Sequence, residues 1–187
     1  GASLRLTVKE TTKPVISITS PANGAYVITN SQPIVFTLRD ETNGSGIKIS
    51  SLQLQIDSGT VLNNTSPGMV ITPVTGGHNI TYTPQTALSD GAHTVKINVQ
   101  DNDGNAATQV SSTFTVDTVP PALNITAPAA NGGYVNATAY SVTGTTSDAT
   151  SSPVVVTVKL NNVDQGAVTV QGDGSFTKAI TLATGNN

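Results

Sequence analysis

One phrase occurs twice in this chain with few changes. It reads KPVISITSPANGAYV at residues 13–27 and PPALNITAPAANGGYV at residues 120–135. The match continues downstream, where IVFTLRD at residues 34–40 aligns with VTGTTSD at residues 142–148. A repeat of about 100 residues that contains short strands and turn residues is typical of tandem β-sandwich domains. We therefore expect each phrase to be the first strand of one of two successive domains.

The two copies continue to correspond towards their ends, and this sets the expected domain boundaries. LQLQIDSG at residues 52–59 aligns with VTVKLNN at residues 156–162, and ALSDGAH at residues 87–93 aligns with TLATGNN at residues 181–187. The last match places the end of the second copy before its final two strands. We expect residues 1–13 to be the last strand and linker of a preceding domain, residues 14–117 to be domain 1, and residues 118–187 to be domain 2 without those strands. The chain would then be a fragment of a longer array.

The composition favours the all-β class. Charged residues make up 10% of the chain and aromatic residues 4%, with no Trp, while Thr, Ser, Val, Asn and Gly dominate. Thr and Val are β-branched and favour strands, whereas Gly, Asn and Pro interrupt them. No stretch shows the apolar spacing of three and four residues that an amphipathic helix has. We expect almost no helix.

The first copy contains seven segments with the composition of strands, separated by turn residues. The expected strands are Val15–Ser20, Ile34–Arg39, Ser51–Ile56, Met69–Pro73, His78–Thr83, His93–Gln100 and Ser111–Asp117. DNDGN at residues 101–105 supplies the Asp and Gly that tight hairpin turns use. Seven short strands in about 100 residues predict an immunoglobulin-like β-sandwich, and the repeat predicts two in tandem.

The end of the first copy carries a distinctive hairpin motif, SDGAHTVKINVQDNDGNAATQVSSTFTVDTVPP. Its characteristic positions are Asp90, Gly91, His93, Val95, Asp101, Gly104, Asn105, Phe114, Val116, Asp117, Pro120 and Pro121. This motif resembles the closing strands of bacterial immunoglobulin-like (Big-type) domains, and RDETNGSGI at residues 39–47 is similar to the D..SGI loop of that family. The resemblance covers residues 14–187. It implies a spacer or adhesive module of a large secreted or surface protein, and no particular ligand.

Charge and residue types exclude several classes of partner. The net charge is −3 and there is no basic cluster, so we expect no binding to nucleic acid or to an anionic membrane. The absence of Cys removes disulfides and thiolate metal sites. No apolar run reaches transmembrane length, so we expect no membrane insertion of this fragment.

Catalytic residues are not expected, and we predict that the chain is not an enzyme. A hydrolase needs converging acid and base groups, or a nucleophile beside its base. The two histidines, His78 and His93, fit structural roles on strands, and the carboxylates lie almost entirely in turns. The Ser and Thr residues alternate along strands, as they do on solvent-facing sides.

Aromatic residues give little support for sugar binding, which relies on exposed rings that stack on the sugar. Tyr26 and Tyr134 recur at one repeat position, and we expect them to pack against the scaffold. The full aromatic set is Tyr26, Tyr82, Tyr134, Tyr140, Phe36, Phe114 and Phe176.

Calcium is the sharpest hypothesis for a bound ion. The loops after the second and sixth expected strands should lie at one end of domain 1, where the preceding linker arrives. That placement would gather five acidic residues, which are Glu10, Asp40, Glu41, Asp101 and Asp103. Ca²⁺ takes six to eight oxygens from carboxylates, carbonyls and water. The alternative is that these residues only form turns.

These observations lead to one principal hypothesis and one alternative. We expect a non-catalytic spacer in the stalk of an adhesin-like bacterial protein, outside the cell or on its surface, with Pro-containing linkers that favour an elongated array. Its partners would then be the neighbouring immunoglobulin-like domains of the same chain. The alternative is a module that binds a glycan or a protein through its end loops or an exposed sheet edge. That alternative includes strand exchange between copies, because SLRLTVK at residues 3–9 has the pattern of the strand that domain 2 lacks.

Overall fold

This computed structural model describes residues 8–129 and 133–187. The chain divides into two compact units, unit 1 ending at Thr118 and unit 2 beginning at Val119. All regular elements of the described residues are β-strands, which confirms the all-β prediction, and no helix capable of crossing a membrane is found in this part of the chain. The strand predicted at residues 3–9 lies outside the described residues, apart from its last two positions.

Unit 1 is a sandwich of two four-stranded sheets. One sheet has the order β1-β3-β6-β5 and the other has the order β2-β8-β7-β4. Neighbouring strands are antiparallel, except that β2 runs parallel to β8. The strands are β1 Val15–Ser20, β2 Ala25–Val27, β3 Ile34–Arg39, β4 Ile47–Ile56, β5 Met69–Val74, β6 Gly77–Tyr82, β7 Gly91–Asp101 and β8 Val110–Val116.

The core of unit 1 follows from the alternation of apolar and polar residues. Every second residue of a strand points to the same face of its sheet, so the alternating apolar residues of each strand point into the space between the two sheets. Ile34, Phe36 and Leu38 on β3 are fully buried there, opposite residues of β7 that include Ile97. The immunoglobulin-like sandwich therefore rests on the pattern that the sequence shows.

The expected set of seven strands was wrong in two respects. It omitted β2, which has three residues and is too short to show a periodic pattern. It also began β4 at Ser51, whereas the strand begins at Ile47 and changes register between Lys48 and Gln53. A bulge breaks the alternation of side chains, which hides the first half of the strand from a periodicity argument.

The expectation that Tyr26 and Tyr134 pack against the scaffold was also wrong. Tyr26 is 58% exposed, and Tyr134 is fully exposed. On β2 the residues on either side of Tyr26 are the less exposed ones, so alternation turns the tyrosine ring outwards.

Unit 2 contains one three-stranded sheet, with the order β13-β10-β9, and the short hairpin β11–β12. Its buried side chains include Val158 and Phe176. The strands are β9 Ala122–Ala127, β10 Ala139–Ser147, β11 Lys159–Leu160, β12 Val163–Asp164 and β13 Ser175–Thr181.

The first strand pair has the same register in the two units. Ile16 of β1 faces Leu38 of β3, and at the equivalent repeat position Leu123 of β9 faces Thr146 of β10. In unit 1, where β8 lies near β1, Ile16 is only 7% exposed. Leu123 is 61% exposed and Ile125 is 45% exposed. Among the described residues of unit 2 no strand takes the place of β8, so this apolar face is open.

Unit 2 fills its sheet differently at one central position. The pair of Phe36 and Ile80 in unit 1 corresponds to Gly144 and Phe176 in unit 2. A Cβ atom on Gly144 would lie 2.7 Å from Cζ of Phe176 and 2.5 Å from the carbonyl oxygen of Asn124. In unit 2 the large side chain therefore lies on the neighbouring strand, and Gly144 leaves room for it.

Candidate cation site at the acidic loops

Three segments meet at one end of unit 1. They are the linker at residues 8–13, the loop at residues 40–46 after β3, and the turn at residues 101–105 between β7 and β8. Hydrogen bonds join the linker to the turn and the turn to the loop. The structure thus brings together the segments that carry the acidic residues singled out in the sequence.

The loop after β3 is closed tightly around its own carboxylate. The backbone N–H of Gly46 donates to Oδ2 of Asp40 at 2.6 Å, and the N–H of Gly44 donates to the carbonyl of Glu41 at 3.0 Å. A Cβ atom on Gly44 would lie 2.6 Å from Oδ2 of Asp40, so a larger residue would displace the carboxylate. Asn43 and Gly46 have positive φ angles of 67° and 83°, which Asn and Gly adopt most readily. The NGSG sequence of the loop therefore determines where the two acids point.

Asp101 is fully buried at the end of β7 and organises the turn. Its Oδ1 accepts hydrogen bonds from the backbone N–H groups of Gly104 at 2.6 Å and Asn105 at 2.8 Å. Its Oδ2 accepts from the side-chain amide of Asn105 at 2.6 Å. Both oxygens of this buried carboxylate are engaged, so its role is to fix the turn.

Glu10 carries the linker onto this end of unit 1. Its backbone N–H donates to Oδ2 of Asp103 at 3.2 Å, and the side-chain amide of Asn105 donates to its Oε1 at 2.9 Å. The hydroxyl of Ser45 lies 3.5 Å from the same Oε1. Asp103 also approaches the exposed Nζ of Lys9 at 3.9 Å. Asp103 is therefore an anchor for the linker backbone.

Carboxylate oxygens of Glu10, Asp40 and Glu41 all lie within 4.8 Å of one another. Oδ1 of Asp40 and Oε2 of Glu41 are buried and have no hydrogen-bond partner among the described residues. A buried polar atom without a partner is costly, and more so when it belongs to a charged group. A cation or a proton at this point would remove that cost.

The pKa values of the cluster show the same lack of positive charge. Burial, a shared hydrogen bond with Asp101 and the proximity of Glu41 raise the pKa of Glu10 from 4.5 to about 7. Burial and the same neighbour, Glu41, raise the pKa of Asp40 above its usual range. Burial also acts to raise the pKa of Asp101, but hydrogen bonds from Asn105 and Gly104 outweigh it and lower the value. Glu10 therefore keeps its proton to a higher pH than an isolated glutamic acid does.

The three converging carboxylates suit a calcium ion. Ca²⁺ binds oxygens at about 2.4 Å, so two ligands on opposite sides of one ion lie about 4.8 Å apart. Each of the three residues can therefore reach a single ion without a large rearrangement. Water and nearby carbonyl groups would complete the coordination of such an ion.

The five predicted residues divide into two groups. Asp40 and Glu41 each offer a free oxygen to an ion, and Glu10 converges with them although its oxygens already accept hydrogen bonds from Asn105 and from the backbone N–H of Thr12. Asp101 and Asp103 hold the turn and the linker in place. Asn105 and Ser45 also contact Glu10, although neither is among the five residues that the sequence predicts for the site. Asn105 lies in the DNDGN motif, so its position was marked, but its bond to a residue in the linker depends on the tertiary fold.

A second concave surface lies on unit 2, beside β10 and β13. This groove of about 510 Å³ is lined by residues that include Tyr140, Gln165 and Ile180. Among the described residues that line it, Tyr140 is the single aromatic residue and is partly buried, whereas stacking on a sugar uses exposed rings. The acidic cluster is therefore the better supported candidate.

Comparisons with known proteins identify related domains in both units. The family model described as a bacterial Ig-like domain matches residues 28–118. The model described as glucodextranase, domain B, matches residues 121–187. No curated protein matches the chain.

Several solved structures are similar to this chain at low sequence identity. The adhesin FdeC of Escherichia coli is 18% identical, with a TM-score of 0.47, and the match covers 95% of this chain and 58% of that structure. The fibronectin(III)-like modules of CbhA from Clostridium thermocellum are 15% identical, with a TM-score of 0.47, over 91% of this chain and 80% of theirs. Dimeric latent PorU of Porphyromonas gingivalis is 20% identical, with a TM-score of 0.48, over 73% of this chain and 13% of its own.

Proposed function

We propose, from the premise that residues 28–118 are a bacterial immunoglobulin-like domain, that this chain is a non-catalytic spacer in the stalk of an adhesin-like bacterial protein. In this proposal the module works in the extracellular space or on the cell surface. Its direct partners are the neighbouring immunoglobulin-like domains of the same chain. Calcium bound by Glu10, Asp40 and Glu41 ties the incoming linker to unit 1.

The observation that carries this proposal is the position of Glu10. The residue belongs to the linker, yet its carboxylate converges with two carboxylates of the loop after β3. An ion held by all three groups would join the linker to the domain by ligand bonds, which limits the motion of the linker. A spacer that must transmit position from one domain to the next benefits from such a joint.

Calcium titration tests the site directly. Extracellular calcium modules bind with dissociation constants of about 10⁻⁴ to 10⁻³ M. At 10 mM Ca²⁺ such a site stabilises the folded domain by about 1.4 to 2.7 kcal/mol through binding linkage. For a domain of about 100 residues each kcal/mol raises the Tm by about 4 to 8 °C. We expect this rise in the wild-type chain, measured by circular dichroism, and none in the double variant Asp40→Asn, Glu41→Gln.

A matched control separates the site from general effects of charge. Asp173→Asn removes an exposed carboxylate from a turn of unit 2 and should keep the calcium response. A wild-type Tm that is unchanged at 10 mM Ca²⁺ would mean that the acidic residues only form turns and that calcium does not tie the linker to unit 1. An equal rise in the double variant would place the ion elsewhere.

The spacer role is tested by exchange of domains. In the longer protein that the proposal assumes, residues 14–187 would be replaced by two unrelated immunoglobulin-like domains of similar length. A spacer tolerates this replacement, so adhesion by cells that display the protein should be retained. Loss of adhesion, with normal display on the cell surface, would instead favour a module that recognises a partner.

The open face of unit 2 supports a second candidate function, which is strand exchange between copies. Leu123 and Ile125 are exposed at positions where the repeat predicts burial beneath a strand of the β8 type. Residues 3–9 of a second copy have the sequence of such a strand and are the occupant that we propose. Sedimentation should then show a dimer that disappears when residues 1–10 are deleted. A monomer at all concentrations, or a dimer unaffected by the deletion, would exclude this candidate.

A further inference from the structure

His93 is a buried histidine with both ring nitrogens engaged. It lies near the start of β7, at the opposite end of that strand from Asp101. Its Nδ1 is 2.8 Å from Oδ2 of Asp57, in the turn after β4. Its Nε2 is 2.8 Å from the carbonyl oxygen of Ser89, in the loop before β7. One imidazole ring therefore joins three segments of unit 1.

Both partners of the ring are acceptors. The carbonyl of Ser89 has no hydrogen to donate, and the carboxylate of Asp57 is oriented as an acceptor because its other oxygen receives the backbone N–H of Thr94 at 2.7 Å. A neutral imidazole has only one N–H and would leave a lone pair facing one acceptor. An imidazolium donates from both nitrogens and satisfies both contacts. The geometry thus selects the charged form.

Within residues 8–129 and 133–187, the charged group that faces the ring of His93 is the carboxylate of Asp57. From β8 the ring of Phe114 packs at a centroid distance of 5.7 Å and contributes no charge. From the loop before β7 the contact is the neutral carbonyl of Ser89. The carboxylate of Asp90, next in sequence, is engaged by the backbone N–H and hydroxyl of Thr118.

These contacts connect His93 to the last residue of unit 1. Ser89 is held by His93, and the adjacent Asp90 holds Thr118, where unit 1 ends. The loop before β7 is therefore fixed on one side by the imidazolium and on the other side fixes the departing chain. A change at the ring would reach Thr118 through one peptide unit and one side chain.

We propose that His93 is a proton-dependent clamp that secures the loop before β7 and, through Asp90, the segment where the chain leaves unit 1. When His93 loses its proton, one of its two hydrogen bonds must break. The remaining N–H binds the charged carboxylate of Asp57 more strongly than the neutral carbonyl of Ser89, so the bond to Ser89 is the one that is lost. The loop then gains freedom, and the contact between Asp90 and Thr118 weakens. The clamp makes the exit from unit 1 firm in mildly acidic surroundings and looser in alkaline ones.

The expected direction of the pH dependence follows from linkage. Burial acts to lower the pKa of His93, but the bonds to Ser89 and Asp57 outweigh it and raise the pKa above the unperturbed 6.5. A group whose folded pKa is raised gives stability that is fully present below the unfolded value and is lost as pH rises through the folded value. The contribution of the clamp is therefore complete below pH 6.5 and is lost at higher pH, as the pH rises through the raised pKa of His93 in the folded chain.

Nuclear magnetic resonance of the full 187-residue chain tests the clamp. The ring ¹⁵N signals of both histidines are followed between pH 5 and 9, in EDTA, together with the amide signal of Thr118. We expect His93 to titrate above His78, whose pKa is lowered by burial and by Arg39, and the Thr118 amide to shift with the His93 midpoint. The Asp57→Asn variant is the matched control, because Asn suits the positive φ of 54° and can still accept from Thr94.

The Asp57→Asn variant should lower the pKa of His93, since its amide donates to Nδ1 and favours the neutral ring. In that variant the Thr118 amide should no longer respond between pH 6.5 and 9. The proposal is overturned if the wild-type His93 ring is neutral, with only one N–H, at pH 6. It is also overturned if the Thr118 amide signal does not follow the titration of His93. A response of Thr118 that persists unchanged in Asp57→Asn would equally assign it to another group.

Discussion

Replacement of Asp101 by Ala should destabilise unit 1 strongly, whether or not calcium is present. Asp101 is fully buried and accepts three hydrogen bonds within the turn that joins β7 and β8. Ala removes both carboxylate oxygens, so the backbone N–H groups of Gly104 and Asn105 and the side-chain amide of Asn105 lose their three hydrogen bonds to this residue. The turn would lose the group around which it is built.

The size of the effect can be worked from these contacts. A hydrogen bond to a charged acceptor contributes about 1.5 to 3 kcal/mol, so three bonds give an upper sum of about 4.5 to 9 kcal/mol. Removal of the carboxylate also relieves the cost of burying it, and bonds within one network are not additive. We expect a net loss of about 3 to 5 kcal/mol, at the upper end for a single substitution, because a buried hydrogen-bond network is broken. This is a large fraction of the 5 to 15 kcal/mol that stabilises a typical domain.

Native-state hydrogen exchange can measure this loss of stability for unit 1 separately from unit 2. Amides of buried residues that are paired with neighbouring segments exchange mainly through global opening. Ile97 on β7 therefore reports unit 1, and Phe176 on β13, which is paired with Gly144 on one side and with Val170 on the other, reports unit 2. Asp101→Ala should lower the opening free energy at Ile97 by the stated amount and leave Phe176 unchanged. Asp101→Asn keeps an oxygen for the two backbone donors and loses the bond to the Asn105 side chain, so its cost should be about 1.5 to 3 kcal/mol.

The result that would refute this reasoning is a cost below about 1 kcal/mol for Asp101→Ala in EDTA, followed by a loss of calcium binding. That outcome would make Asp101 a metal ligand rather than the anchor of the turn. Asp173→Ala in unit 2 controls for the loss of an acid in a glycine-containing turn, and it should leave Ile97 unaffected.

Gly144→Ala should destabilise unit 2 by about 1 to 3 kcal/mol, because its Cβ would overlap Phe176 and the backbone at Asn124, and the hydrogen-exchange protection of Phe176 should fall. Gly172→Ala, at a position with open space, should leave that protection intact, and equal effects of the two substitutions would contradict the packing argument. In calcium-free buffer the proton on Glu10 should give stability that is complete below pH 4.5 and is lost as pH rises through about 7, and urea unfolding of Glu10→Gln should lack this part of the pH dependence. Calcium should displace that proton, so calorimetry at pH 6.5 in buffers of different ionisation enthalpy should show proton release. A binding heat that does not depend on the buffer would show that Glu10 is not a ligand of the ion.

Most of the fold could be predicted from the sequence because its main signal is local. Alternation along β3 and the repeated opening phrase define strands and domains without knowledge of any distant contact. The prediction failed where that local signal is absent or broken. The three residues of β2 are too few to show a period, and the bulge in β4 interrupts one. The outward orientation of the Tyr26 ring was missed for the same reason, because Tyr26 lies on β2.

The proximity of the acidic loops could be predicted from the sequence, whereas the contacts of each acidic residue could not. The loop positions of Asp40, Glu41 and Asp101 follow from the strand order, because loops at the same end of a sandwich are neighbours. Which oxygens remain free depends on where the N–H groups of the turn point. Asp101 receives those donors, whereas Oδ1 of Asp40 receives none among the described residues.

The sequence by itself determined that this protein is built from repeated β-sandwich units with acidic loops, because strand periodicity and turn residues are properties of short segments. Tertiary structure alone decided two further properties. They are the attachment of Glu10 to loops distant in the chain and the two acceptors that face the ring nitrogens of His93. Each depends on the direction of individual atoms across separate segments, and that direction is set only when the sheets pack together.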